Sequence, residues 1–146
     1  MTPFQELSWR EKTTALYLAS QVVCFGPYFV YLALLQGQRL PVLEQLLGYG
    51  ITTLSQLTLL GLGHWWLRRR FALEACQTAD ERDLVIDQQA TRRAYGILMT
   101  GMIITGCVMP FSDPPHAIFQ AAVFFLVLSE ASRNIMVLWA YHRERC

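Results

Sequence analysis

Long apolar stretches alternate with short charged ones along this chain. The apolar stretches cover about 15–35, 40–67, 94–110 and 117–141. Some twenty residues rising 1.5 Å each span the roughly 30 Å hydrocarbon core of a bilayer, so each stretch predicts a membrane-crossing helix. The third is the shortest, and the residues ahead of it extend its helix. The expectation is an all-α integral membrane protein with four transmembrane helices, the third reaching into the cytoplasm.

Local signals refine the elements. Gly26-Pro27 lies halfway along the first stretch, and Pro27 removes a backbone hydrogen bond there, which predicts a kink. Residues 1–14 are polar with Phe4, Leu7 and Trp9 interspersed, the pattern of a segment lying on the headgroups. Pro41 suits the first turn of the second helix, and Glu44 complements its N-terminal dipole. Between the middle helices, Thr78-Ala79-Asp80-Glu81 has the spacing of a capping box, and no Gly or Pro follows until Gly96. One helix is therefore expected from about residue 79 to 109, until Pro110, Pro114 and Pro115 stop it. Gly101 and Thr105, four apart, predict a face that packs closely on another helix.

Composition agrees with the pattern. The 146 residues are 53% hydrophobic and only 16% charged, where a soluble domain carries about a quarter. The net charge of +1 hides an uneven distribution. Arg10 and Lys12 precede the first helix; Arg68, Arg69, Arg70, Arg82, Arg92 and Arg93 lie between the second and third; Arg143 and Arg145 follow the fourth. Arg39 alone lies on the opposite side, so the positive-inside rule puts both termini and the 68–93 segment in the cytoplasm. Trp9, Trp65, Trp66, Tyr95, Trp139 and Tyr141 fall at that inner boundary as an aromatic belt. The N-terminus has no cleavage signature of a secretory peptide, so the first span is expected to stay in the mature protein. Cys24, Cys76, Cys107 and Cys146 show no paired spacing and read as free thiols.

Asp80-Glu81-Arg82-Asp83, followed by Ile86, Ala90, Arg93 and Tyr95, resembles the signature of an uncharacterised family of small four-helix prokaryotic membrane proteins. Leu128-Ser129-Glu130, followed by Arg133, Leu138, Tyr141 and Arg143, is similar to the pattern that closes that family's last helix. The likeness covers roughly 78–143. It implies a four-helix protein of a prokaryotic inner membrane and, the family having no established activity, leaves the function open.

The polar residues inside the spans are the candidates for function. Glu130 lies roughly 20 Å down the fourth helix, where a charge costs about 2.5–3.5 kcal/mol, so it is expected to face inward and to have a partner. Gln21 and Gln56 fall at the same depth, which makes Glu130, Arg133, Asn134, Gln56 and Gln21 one expected cluster. In a structural reading Glu130 pairs with Arg133, three residues on, and bonds Gln56 or Gln21 as glue between helices. In a functional reading Glu130 binds a proton or cation. The acidic run Asp80, Glu81, Arg82, Asp83 and Asp87 invites a loose metal site, but capping and ion pairing account for its carboxylates. His64 and His142 near the inner boundary lack any support as haem ligands.

No metal site or cofactor is expected. Nucleic acid is not an expected partner, because acids offset the basic run. No nucleophile–base arrangement points to an enzyme. Two classes remain: a small membrane subunit or regulator that associates with itself or another membrane protein, and a homo-oligomeric transporter or channel with Glu130 as its cation site. The missing second helix break, which internal symmetry would require of a transporter, favours the first.

Overall fold

A computed structural model describes residues 8–34, 41–71 and 81–145 of the chain. Four helices carry them: α1 (Trp9–Leu34), α2 (Val42–Arg70), α3 (Glu81–Ile103) and α4 (Pro115–Arg145). A π-helical turn (Ile104–Val108) and a 3-10 turn (Met109–Phe111) continue α3 without a break. Each of the four, α3 taken through to Phe111, is long and apolar enough to cross a membrane. The chain divides into two units, Met1–Thr78 with α1 and α2, and Ala79–Cys146 with α3 and α4.

In the first unit α1 and α2 form an antiparallel pair. Trp9 meets the His64 ring edge-on at 5.7 Å, while further along Phe25 and Tyr49 have centroids 6.2 Å apart. Between these contacts Leu16 of α1 seats on Gly63, where an added Cβ would stand 2.8 Å from the leucine methyls. Glycine there lets a bulky neighbour close onto the backbone, and dispersion over such contacts drives association in lipid. Lys12 is fully buried, its ammonium 3.8 Å from the centre of the Phe71 ring.

The start of α1 departs from expectation. Residues 9–14, read from the sequence as part of a separate interfacial segment, form its first turns in direct continuity with the span. The cause is a reciprocal capping box. Ser8 N–H donates to Glu11 Oε2 at 2.7 Å, and Glu11 N–H donates to Ser8 Oγ at 3.3 Å. Two orphan N–H groups are thereby satisfied, and the helix begins at Trp9. The capping box expected at Thr78 lies outside the described residues. Downstream, α1 runs through Pro27 as one helix.

Several hydroxyls of α2 would be costly in lipid if left to themselves. Those of Thr52, Thr53, Ser55 and Thr58 each donate to the carbonyl four residues back, at 2.8–2.9 Å. This local bond lets an otherwise apolar helix carry them.

In the second unit α3 and α4 pack side by side as an antiparallel hairpin. Ala90, Ala94, Gly101 and Thr105 are the buried residues of α3 and its π turn, small side chains at near-helical intervals. Gly101 lies directly under Phe125 of α4, so close that a Cβ would run into that side chain. Thr105 turns its hydroxyl back to the Gly101 carbonyl at 2.9 Å. The closely packed face expected at these two positions is present. Past Ile103 the helix widens: Met109 N–H donates to the carbonyl of Ile104, five residues back. Pro110 has no N–H to offer the preceding turn, and the widened spacing adapts the helix to its end.

Candidate functional site

A polar seam joins the more charged halves of α3 and α4. Asp83, Asp87 and Thr91 recur every fourth residue and form one stripe on α3. Across from them, Arg133 and Tyr141 lie eight apart on α4, on a common face. Tyr141 donates its hydroxyl to Asp83 Oδ1 at 2.6 Å. The Arg133 guanidinium makes two contacts, Nη2 to Asp87 Oδ1 at 2.7 Å and Nε to Thr91 Oγ1 at 3.1 Å. The pair is only half-buried, with side-chain exposures of 36% and 44%, so the geometry of the fork matters more here than desolvation.

This seam corrects the pairing expected within α4. Arg133 does not pair with Glu130 but crosses to α3, where two acceptors match its planar fork. Glu130 is exposed rather than turned into the chain, and among the described residues no hydrogen bond or ion pair involves it. It is the central residue of α4, with fifteen residues of helix on either side. Leu126, one turn before it, is exposed as well, whereas Asn134, one turn after, is buried. Ser129 is buried and bonds back to the Leu126 carbonyl at 2.9 Å.

The remaining candidates separate by unit. Gln21 is buried and Gln56 half-buried in the first unit, while Glu130, Arg133 and Asn134 belong to the second. Of the acidic run, Asp80 lies outside the described residues, and Glu81 and Arg82 are exposed on the first turn of α3. Asp83 and Asp87 face α4 and are engaged by Tyr141 and Arg133.

Beside the seam, on the next face of the same two helices, lies a cavity of about 520 Å³. From α3 it is lined by Arg82, Val85, Ile86, Gln89, Ala90 and Arg93, and from α4 by Met136, Trp139, Ala140 and Arg143. Both sets recur at three- and four-residue intervals, so each is one face of its helix. Three arginines thus share the lining with apolar side chains. The Arg143 guanidinium stands over the Trp139 ring, 5.8 Å from its centre. The sequence carried only half of this signal: the periodicity of each lining set is readable, but their meeting depends on how the hairpin is registered.

No protein-family model, curated protein or solved structure matches this chain. What is shown is an all-helical chain with four helices long and apolar enough to cross a membrane, by length and composition. Anything narrower rests on the side chains described above.

Proposed function

We propose that this chain is a small subunit or regulator of the prokaryotic cytoplasmic membrane, acting by helix–helix association with a second copy or another membrane protein. The observation that carries the reading is Glu130. A carboxylate at the centre of a membrane-length helix, exposed and without a partner among the described residues, is expensive against lipid and inexpensive against a polar group on a neighbouring protein. Arg133 is already held by Asp87 and is not free to neutralise it.

The orientation has its own support. Arg69 stacks 4.0 Å from the Trp65 ring and Arg70 5.3 Å from that of Trp66, at the end of α2; Arg143 stands over Trp139 near the end of α4. Arginine beyond tryptophan at the C-terminal end of each of these two helices fits a charged membrane face, the cytoplasmic one by the positive-inside rule. The polar half of α3 and both termini belong to that side.

The test is size and composition of the purified protein in mild detergent. A second copy or a stoichiometric partner is expected, and Glu130→Leu should lose it while keeping its helix content. A wild-type protein that is monomeric and partner-free, with Glu130→Leu indistinguishable from it, overturns the reading. The same unpaired carboxylate also supports a homo-oligomeric transporter or channel. In that case Glu130→Gln leaves the oligomer intact and abolishes proton or cation flux into proteoliposomes.

A further inference from the structure

We propose that the cavity between α3 and α4 is a binding site for a phosphate-bearing amphiphile, with an anionic membrane lipid as its occupant. Three observations support this. First, the lining is chemically mixed, combining Arg82, Arg93 and Arg143 with apolar side chains that include Ile86, Met136 and Trp139. That is the combination an amphiphile needs: cations for a phosphate ester, apolar surface for the start of its chains. Guanidinium presents a planar fork that matches two phosphate oxygens, which makes arginine the residue suited to this group.

Second, the charges of Arg93 and Arg143 are available. Among the described residues no hydrogen bond or ion pair involves Arg93 or Arg143, and the Arg143 guanidinium stands 5.8 Å from the centre of the Trp139 ring. Of the seam's acids, Asp83 accepts from Tyr141 and Asp87 is paired with Arg133. Third, the position suits a lipid. The cavity lies where the apolar runs of α3 and α4 give way to their charged ends, with Trp139 in its wall. On the proposed topology this is the inner headgroup level, where anionic lipids gather and basic pockets between helices bind them. The cavity's volume also falls in the range of pockets that hold small ligands.

The full-length protein in a zwitterionic detergent is titrated with phosphatidylglycerol, with phosphatidylcholine of the same chains, and with inorganic phosphate, and bound species are read by native mass spectrometry. One phosphatidylglycerol per chain should be retained in preference to phosphatidylcholine. Arg93→Gln and Arg143→Gln should each weaken it by roughly fivefold, the worth of one basic residue near a membrane surface. Arg92→Gln is the control, since it removes the same charge one residue away from the cavity lining. Retention of inorganic phosphate in place of the lipid, lost in Arg93→Gln, keeps the site and changes the source to a free phosphate group. Equal retention of both lipids without phosphate binding overturns the proposal. So does an effect of Arg92→Gln as large as that of Arg93→Gln, which would reduce the attraction to surface charge. Far-UV circular dichroism confirms that each exposed-arginine variant keeps its helices. Because Glu130 lies outside the cavity, loss of association in its variants and loss of lipid in these are separate results.

Discussion

Arg133 bypasses Glu130, its near neighbour on α4, and joins Asp87 of α3 at 2.7 Å. A pair three residues apart on one helix is worth only about 0.2–0.5 kcal/mol. The cross-helix choice satisfies Asp87 and Thr91 together and ties two helices at a defined register. Glu130 is left exposed, with no hydrogen bond or ion pair among the described residues.

A double-mutant cycle on Asp87→Asn and Arg133→Gln should give a coupling of about 0.5–1 kcal/mol, the upper part of the range for partly exposed pairs. Reversible unfolding in micelles measures it. Glu130→Gln should change the stability of the isolated chain by less than about 0.5 kcal/mol. Coupling of Arg133 to Glu130 instead of Asp87 would contradict the seam.

Gly101→Leu should part α3 from α4 or strain them, at a cost of about 1–3 kcal/mol, because the new side chain meets Phe125. Adding Phe125→Ala should recover part of the loss. Thermal unfolding of the single and double variants decides it; an undiminished Gly101→Leu protein would mean that the two helices do not pack there.

Ser8→Ala removes one half of the capping box and should cost about 1 kcal/mol locally. Hydrogen exchange is the appropriate readout, with faster exchange confined to the first turn of α1. Unchanged exchange at Glu11 would rule out the cap.

Tyr28 has a different signature. Its ring is buried, and among the described residues its hydroxyl has no hydrogen-bond partner. Deleting an unsatisfied buried hydroxyl relieves a desolvation cost, so Tyr28→Phe should stabilise the protein by about 1 kcal/mol. A fall in its melting temperature would show that the hydroxyl is in fact bonded.

The four spans were legible because each is an apolar run of membrane length, and hydrophobicity alone sets that. The Gly101–Thr105 face was legible for a similar reason: small residues four apart have few uses in lipid other than close packing. The first turns of α1 were readable in Ser8-Trp9-Arg10-Glu11, a capping-box spacing that the aromatic pattern around it obscured. Glu130 is the instructive failure. Depth along a helix gives the cost of burying a charge but not the side of the helix that meets a neighbour. Arg133 likewise had a nearer partner in sequence than in space, since the register of α3 against α4 is a tertiary property. The cavity depends on that same register and has no linear trace beyond two periodic faces.

The π turn at Ile104–Val108 has a consequence for how this helix can change length. A widened turn is one residue absorbed into a helix without a loop, and each residue advances the side chains by about 100°. Everything beyond Val108 is therefore out of phase with the stripe that ends at Thr105, and the C-terminal continuation of α3 presents a different face from the one that meets Phe125. An insertion or deletion of one residue inside 104–108 would be taken up by tightening or widening this turn, leaving the Gly101–Phe125 contact where it is. The turn separates the part of α3 that must keep its register with α4 from the part that only has to reach the next loop.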